Sequence, residues 1–156
     1  MPRRTQQRRA AIWALYQSDL LARPIGETLP RDAHIFTLAL AEQVCEHRAE
    51  LDRLISAHAE DWSLERIAPL ERAILRVALL EMLHPEVLPA EHPIPPQGAI
   101  DEAVETAKMF CGSRAPAFIN GVLAAVLRER DAGVAGERDG GARRAESQAV
   151  NGAGGG

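Results

Sequence analysis

The stretch Pro69-Leu-Glu-Arg-Ala-Ile-Leu-Arg-Val-Ala-Leu-Leu-Glu-Met-Leu83 decides the fold. At roughly 100° per residue, Leu70, Ile74, Val77, Leu80, Met82 and Leu83 fall at almost every azimuth of a helical wheel. A helix with no clean polar half has to be wrapped by other helices. This segment is therefore expected at the centre of a bundle. Pro69 suits the first helical turn, where its missing N–H is not needed. Glu71 and Arg72 place charge at that end, which is expected to reach solvent.

The composition agrees with a helical surround. The chain has 156 residues, 46% of them hydrophobic and only 4% aromatic, which supplies one core rather than two domains. Ala and Leu abound and β-branched runs are missing, so the expected class is all-α.

Periodicity places the neighbours. Thr5 to Leu21 reads as a first helix, with Ile12, Leu15, Tyr16 and Leu20 in one arc. Extending that arc back one turn brings in Arg8 and Arg9. Because arginine continues a core stripe only at high cost, the first turns are expected to project past the core. Asp32 to Ala59 reads as one long helix carrying Phe36, Leu40, Val44, Leu51, Leu54 and Ile55 on an apolar arc. His47 and His58 fall in that arc and are assigned no chemistry. Five prolines make His84 to Pro96 a connector. Gln97 or Gly98 opens a helix striped by Ile100, Ala103, Val104 and Ala107, and Pro116 starts a last helix with Phe118, Ile119, Val122, Leu123, Val126 and Leu127 on its buried side. The pattern stops at Asp131. Residues 1–131 are thus the expected domain, and 132–156, rich in Gly, Ala, Arg and Glu, an expected disordered tail.

Charge is unevenly spread. The formal net charge of −4 combines +4 at residues 1–9, from Arg3, Arg4, Arg8 and Arg9, with a balanced tail, leaving −8 on the body. A basic arm on an acidic body suits nucleic-acid phosphates. The plainer reading is a solvated terminus in a chain that prefers arginine, since Lys108 is the one lysine. Tyr16, about two turns from Arg9, offers a ring for a base, or is an ordinary half-buried tyrosine.

Signs of catalysis are missing. No GxxxxGK[ST], HExxH, GxSxG or paired CxxC occurs, so no enzyme activity, cofactor or metal is expected. Asp101, Glu102 and Glu105 read as a solvated acidic face, with no apolar pocket to raise a carboxyl pKa. Cys45 and Cys111 show neither disulfide nor zinc spacing, and nowhere do 18 apolar residues run without charge. A cytoplasmic protein without membrane contact is expected.

The run Ala99-Ile-Asp-Glu-Ala-Val-Glu-Thr-Ala-Lys-Met-Phe110, followed by Ala117-Phe-Ile-Asn-Gly-Val-Leu123, resembles the paired signature of the NusB family of transcription antitermination proteins. Arg8-Arg9 before Ala14-Leu15-Tyr16-Gln17 resembles that family's first helix, and Leu70-Glu-Arg-Ala-Ile-Leu-Arg76 with Leu80-Glu81 its central one. The resemblance implies two small packed bundles of about six to seven helices that bind boxA RNA together with NusE, a small-subunit ribosomal protein, in the RNA polymerase antitermination complex and so promote rRNA operon transcription. Oligomeric state stays open between monomer and homodimer. Departures from the signature are Asp101 for Asn, Thr106 for Leu and Ala117 for Lys; Arg114 is placed to replace the lost cation. An alternative from the enzyme class is the NusB-like N-terminal domain of ribosomal RNA cytosine methyltransferases, whose chemistry needs a following cofactor domain.

By resemblance, Tyr16, Glu71 with Arg72, and Phe118 should converge into the specific part of the RNA site. Arg3, Arg4, Arg8, Arg9 and Arg114 would supply phosphate contacts. Glu71 has two readings, an acceptor for a base edge or a stabilising acid in a first helical turn.

Overall fold

The computed structural model describes residues 3–60 and 62–150, with side chains described through Val134. Seven α-helices occur among them, and no strand: α1 (Arg4–Leu21), α2 (Ile25–Thr28), α3 (Ile35–Glu46), α4 (Arg48–His58), α5 (Pro69–Leu83), α6 (Pro96–Phe110) and α7 (Ala115–Val150). Single 3-10 turns cover Leu64–Arg66 and Pro85–Val87.

Helix α5 has the bounds and the central place that its apolar circumference dictates. It packs against α1, α3, α4, α6 and α7, and every residue from Ala73 to Met82 is buried. One bundle gathers α1, α2 and α3 on one side of it, and α6 and α7 form the other. Ile74, Leu75, Leu79 and Leu80 are fully enclosed, each contributing about 1.5 to 3 kcal/mol relative to exposure.

One expectation is corrected here. The long helix from Asp32 to Ala59 is two helices, interrupted at His47, whose backbone sits at φ −93° and ψ 8°. The His47 ring donates from Nδ1 to the Gln43 carbonyl at 2.8 Å, and the His47 N–H is shared between the Gln43 and Cys45 carbonyls. The helix ladder is locally diverted, while the apolar stripe continues across the bend, so the sequence pattern carries no sign of it. The loop after α1 contains the short α2, where Thr28 Oγ1 donates to the Ala14 carbonyl at 2.8 Å and ties the turn back onto α1. Helix α7 runs on to Val150, past the Asp131 at which the apolar stripe ends. Ala, Arg and Glu favour a helix in that stretch, while Gly133, Gly136, Gly140 and Gly141 oppose it. Residues 151–156 lie outside the described residues.

Helices α1, α4 and α5 are also joined by charge. Asp19 of α1 accepts from Arg48 and Arg72, each at 3.0 Å, and lies 3.4 Å from Arg76; Asp52 of α4 accepts from Arg76 Nε at 2.7 Å. Burial alone would push the Asp19 carboxyl up, but Arg72, Arg76 and Arg48 outweigh it and hold the group below the ordinary carboxylate range. Arg76 is thereby accommodated within the buried stretch of α5.

Candidate nucleic-acid interface

The arginine arm is not the free row that its sequence suggests. Arg8 is 5% exposed and forms a two-point pair with Glu81 of α5, Nε to Oε1 at 2.5 Å and Nη2 to Oε2 at 2.9 Å. Glu102 of α6 stands 3.7 Å from Nη1 and also accepts from Thr5 Oγ1 at 2.8 Å. Burial pushes the guanidinium pKa down, yet the Glu81 hydrogen bond and the charges of Glu81 and Glu102 raise it overall. The first turns of α1 are therefore packed onto the body and do not project past the core. Arginine continues the stripe here because an acid on each facing helix meets it, which periodicity of one segment cannot reveal.

Arg4 is exposed but lies over the Phe36 ring at 3.9 Å and donates to Gln7 Oε1 at 2.9 Å. Arg3 is exposed at the helix start, its N–H bonded to Gln6 Oε1. Arg9 borders a hollow with Asp101, Glu102 and Glu105, and its Nε is buried with no partner among the described residues. Acids surround that cation, so its surroundings disfavour phosphate.

Of the three segments expected to converge, two do. Glu71 at the start of α5 and Phe118 at the start of α7 line one open hollow of about 440 Å³, together with Arg114. Tyr16 is half-buried elsewhere, edge-on to Trp13 at 5.7 Å, and Trp13 is edge-on to Phe110 at 5.3 Å. Arg72 turns away from the hollow, donating to Asp19 and to the Leu64 carbonyl at 3.2 Å.

Two residues of the hollow escaped the sequence reading, Trp62 and Arg66. Trp62 is 56% exposed. The available signal was an indole in a polar helix break, with a cation four residues on. Inside this hollow the charges are uncommitted: among the described residues Glu71, Arg66 and Arg114 have no side-chain hydrogen bond or ion pair, although all three line the same space. Burial pushes the Glu71 carboxyl above its ordinary value, as desolvation without a donor must. Two rings, two cations and one carboxylate acceptor are the elements that take up an unpaired nucleotide.

The histidines of the second segment serve the fold. His58 Nδ1 donates to the Leu54 carbonyl at 2.8 Å and its Nε2 faces Glu129. No group of three or more His, Cys, Asp or Glu able to hold a metal occurs among the described residues. Among them, no helix is long and apolar enough to cross a membrane.

Fold and surface together define an all-helical domain of two bundles sharing one buried helix, with aromatic and cationic groups on an open face. Residues 5–128 match the NusB family. The transcription antitermination protein NusB of Frankia casuarinae is 42% identical over 110 residues, covering 70% of this chain and 76% of the relative. The chain belongs to the NusB family. Among solved structures, NusB of T. maritima superposes with a TM-score of 0.69 at 28% identity, over 82% of this chain and 92% of that one. A chain from the crystal structure of the antitermination factors NusB and NusE in complex with dsRNA gives 0.67 at 25% identity, over 81% and 96%.

Proposed function

We propose that this chain is a noncatalytic transcription antitermination factor of the cytoplasm that binds boxA-type single-stranded RNA together with NusE, as part of the RNA polymerase antitermination complex that promotes transcription of rRNA operons. The observation that carries the RNA half is the hollow beside Phe118, where Glu71, Arg66 and Arg114 stand unpaired within reach of one ligand. Paired surface charges would read as structural; unpaired ones around exposed rings suit a nucleotide, whose phosphate meets the cations and whose base meets the rings. The NusE half rests on likeness to the NusB of the NusB and NusE complex with dsRNA.

The test is a titration of labelled boxA RNA and a scrambled RNA at several salt concentrations, with and without NusE. Expected are salt-dependent binding, preference for boxA, and tighter binding with NusE by about 1 to 3 kcal/mol, since coupling between two sites is reciprocal. No RNA binding at low salt in either titration overturns the proposal.

A further inference from the structure

Resting on the RNA reading above, we infer that the hollow between Trp62 and Phe118 is a subsite for one unpaired guanine, read by the Glu71 carboxylate and held through its phosphates by Arg66 and Arg114.

The hollow offers its one carboxylate no donor among the described residues. An ionised carboxylate is an acceptor only, with two oxygens side by side. Glu71 meets no donor among the described residues, and the two nearby cations are not within ion-pair distance of it. Burial has nevertheless removed part of its water, so the group stands to gain from a ligand that presents donors. A protein-built ion pair would have satisfied it; this arrangement leaves that to the ligand.

The donors it needs select the base. Uracil offers a single N–H on its Watson–Crick edge, between two carbonyls that would repel the carboxylate. Adenine and cytosine each offer one amino group beside a ring acceptor. Guanine alone places two donors next to each other, N1–H and the 2-amino group, at the spacing of the two carboxylate oxygens. A two-point, charge-assisted contact of that kind is the stronger sort of hydrogen bonding. Trp62 and Phe118 supply apolar faces for the ring. Trp62 is on the segment before α5 and Phe118 on α7, so the base would bridge the two ends of the hollow. The volume of about 440 Å³ suits a small ligand and is too small for a duplex.

The cations fix where the backbone runs. Arg66 ends the 3-10 turn before α5 and Arg114 immediately precedes α7, so they approach the hollow from two elements. Neither is engaged by a carboxylate among the described residues. Two guanidinium groups lining one hollow would take successive phosphates on either side of the flipped base, leaving the carboxylate to the base edge, where it does not oppose phosphate.

The test uses the full chain and a single-stranded RNA bound at low salt, with each guanine in turn replaced by inosine, which lacks the 2-amino donor, and by adenine. At one position inosine should weaken binding about tenfold and adenine more, as expected for loss of a two-point base contact. Glu71→Gln should abolish the guanine over inosine difference at that position while leaving binding of the inosine RNA within about threefold of wild type. Trp62→Ala should weaken both RNAs alike. Thermal midpoints no lower than that of wild type exclude unfolding as the cause. RNA binding with no position sensitive to inosine, or a preference that survives Glu71→Gln, overturns the guanine subsite and leaves the RNA-binding function standing. Absence of binding to any RNA overturns both.

Discussion

Arg8 of α1 and Glu81 of α5 form a buried two-point ion pair, 2.5 and 2.9 Å, at 6% and 3% side-chain exposure. Removing one member of a buried pair strands the other charge, whereas replacing both with apolar groups of similar size is far less costly. Arg8→Ala is therefore expected to destabilise by about 3 to 5 kcal/mol, and Arg8→Met with Glu81→Leu to recover most of that. Denaturant unfolding of the three proteins checks it. A double variant no more stable than Arg8→Ala would contradict the pairing.

Since Arg8 is enclosed, the proposed phosphate contacts fall to exposed cations. Replacing Arg66 and Arg114 together by Ala is expected to lower the magnitude of the salt slope of RNA binding by about 1.4, two contacts at roughly 0.7 each for a single strand. Arg72→Ala should leave the slope unchanged and lower stability, because that side chain is engaged by Asp19 and the Leu64 carbonyl. Binding isotherms at four salt concentrations distinguish the cases.

The central helix was legible to the residue because its evidence is local: fifteen residues whose apolar groups surround the axis fit no other environment. The bend at His47 was illegible for the complementary reason, since the stripe stays in phase across it. Arg8 shows where a one-segment reading fails. A buried arginine depends on Glu81 and Glu102, 73 and 94 positions away along the chain, and Glu102 read on its own segment as part of a solvated acidic face. Glu71 and Phe118 were found through the family resemblance, with Arg114 beside them. Trp62 and Arg66 fell in a short irregular stretch, where periodicity offers nothing to measure.

The Asp19 cluster has a predictable acid limb. Arg72, Arg76 and Arg48 hold its carboxyl below the ordinary carboxylate range against the opposing effect of burial. A depressed carboxyl stabilises the fold fully above its unfolded pKa, about 3.9, and that contribution is lost as pH falls through the lower folded value. Asp19→Asn should lower the thermal midpoint at neutral pH, and the gap from wild type should close on acidification below about pH 4. A gap that stays constant from neutral to acid would show that Asp19 acts through packing.

Glu71 should behave in the opposite sense. Burial raises its folded pKa above the unfolded one, so the ionised group binds its proton more readily in the native state and the native state gains stability relative to the unfolded one as pH falls through that range. At neutral pH the carboxylate thus opposes folding, and a first-turn acid contributes favourably to the helix by only about 0.3 to 1 kcal/mol. If desolvation dominates, as the direction of the shift requires, Glu71→Gln leaves the midpoint equal to or above that of wild type at pH 7. The two should converge in mild acid, where wild-type Glu71 becomes neutral like the amide. Thermal unfolding of both proteins across this pH range is the measurement. A Glu71→Gln midpoint clearly below wild type at neutral pH, with convergence on acidification, would make the carboxylate a helix-stabilising group and remove the case for its waiting on a base.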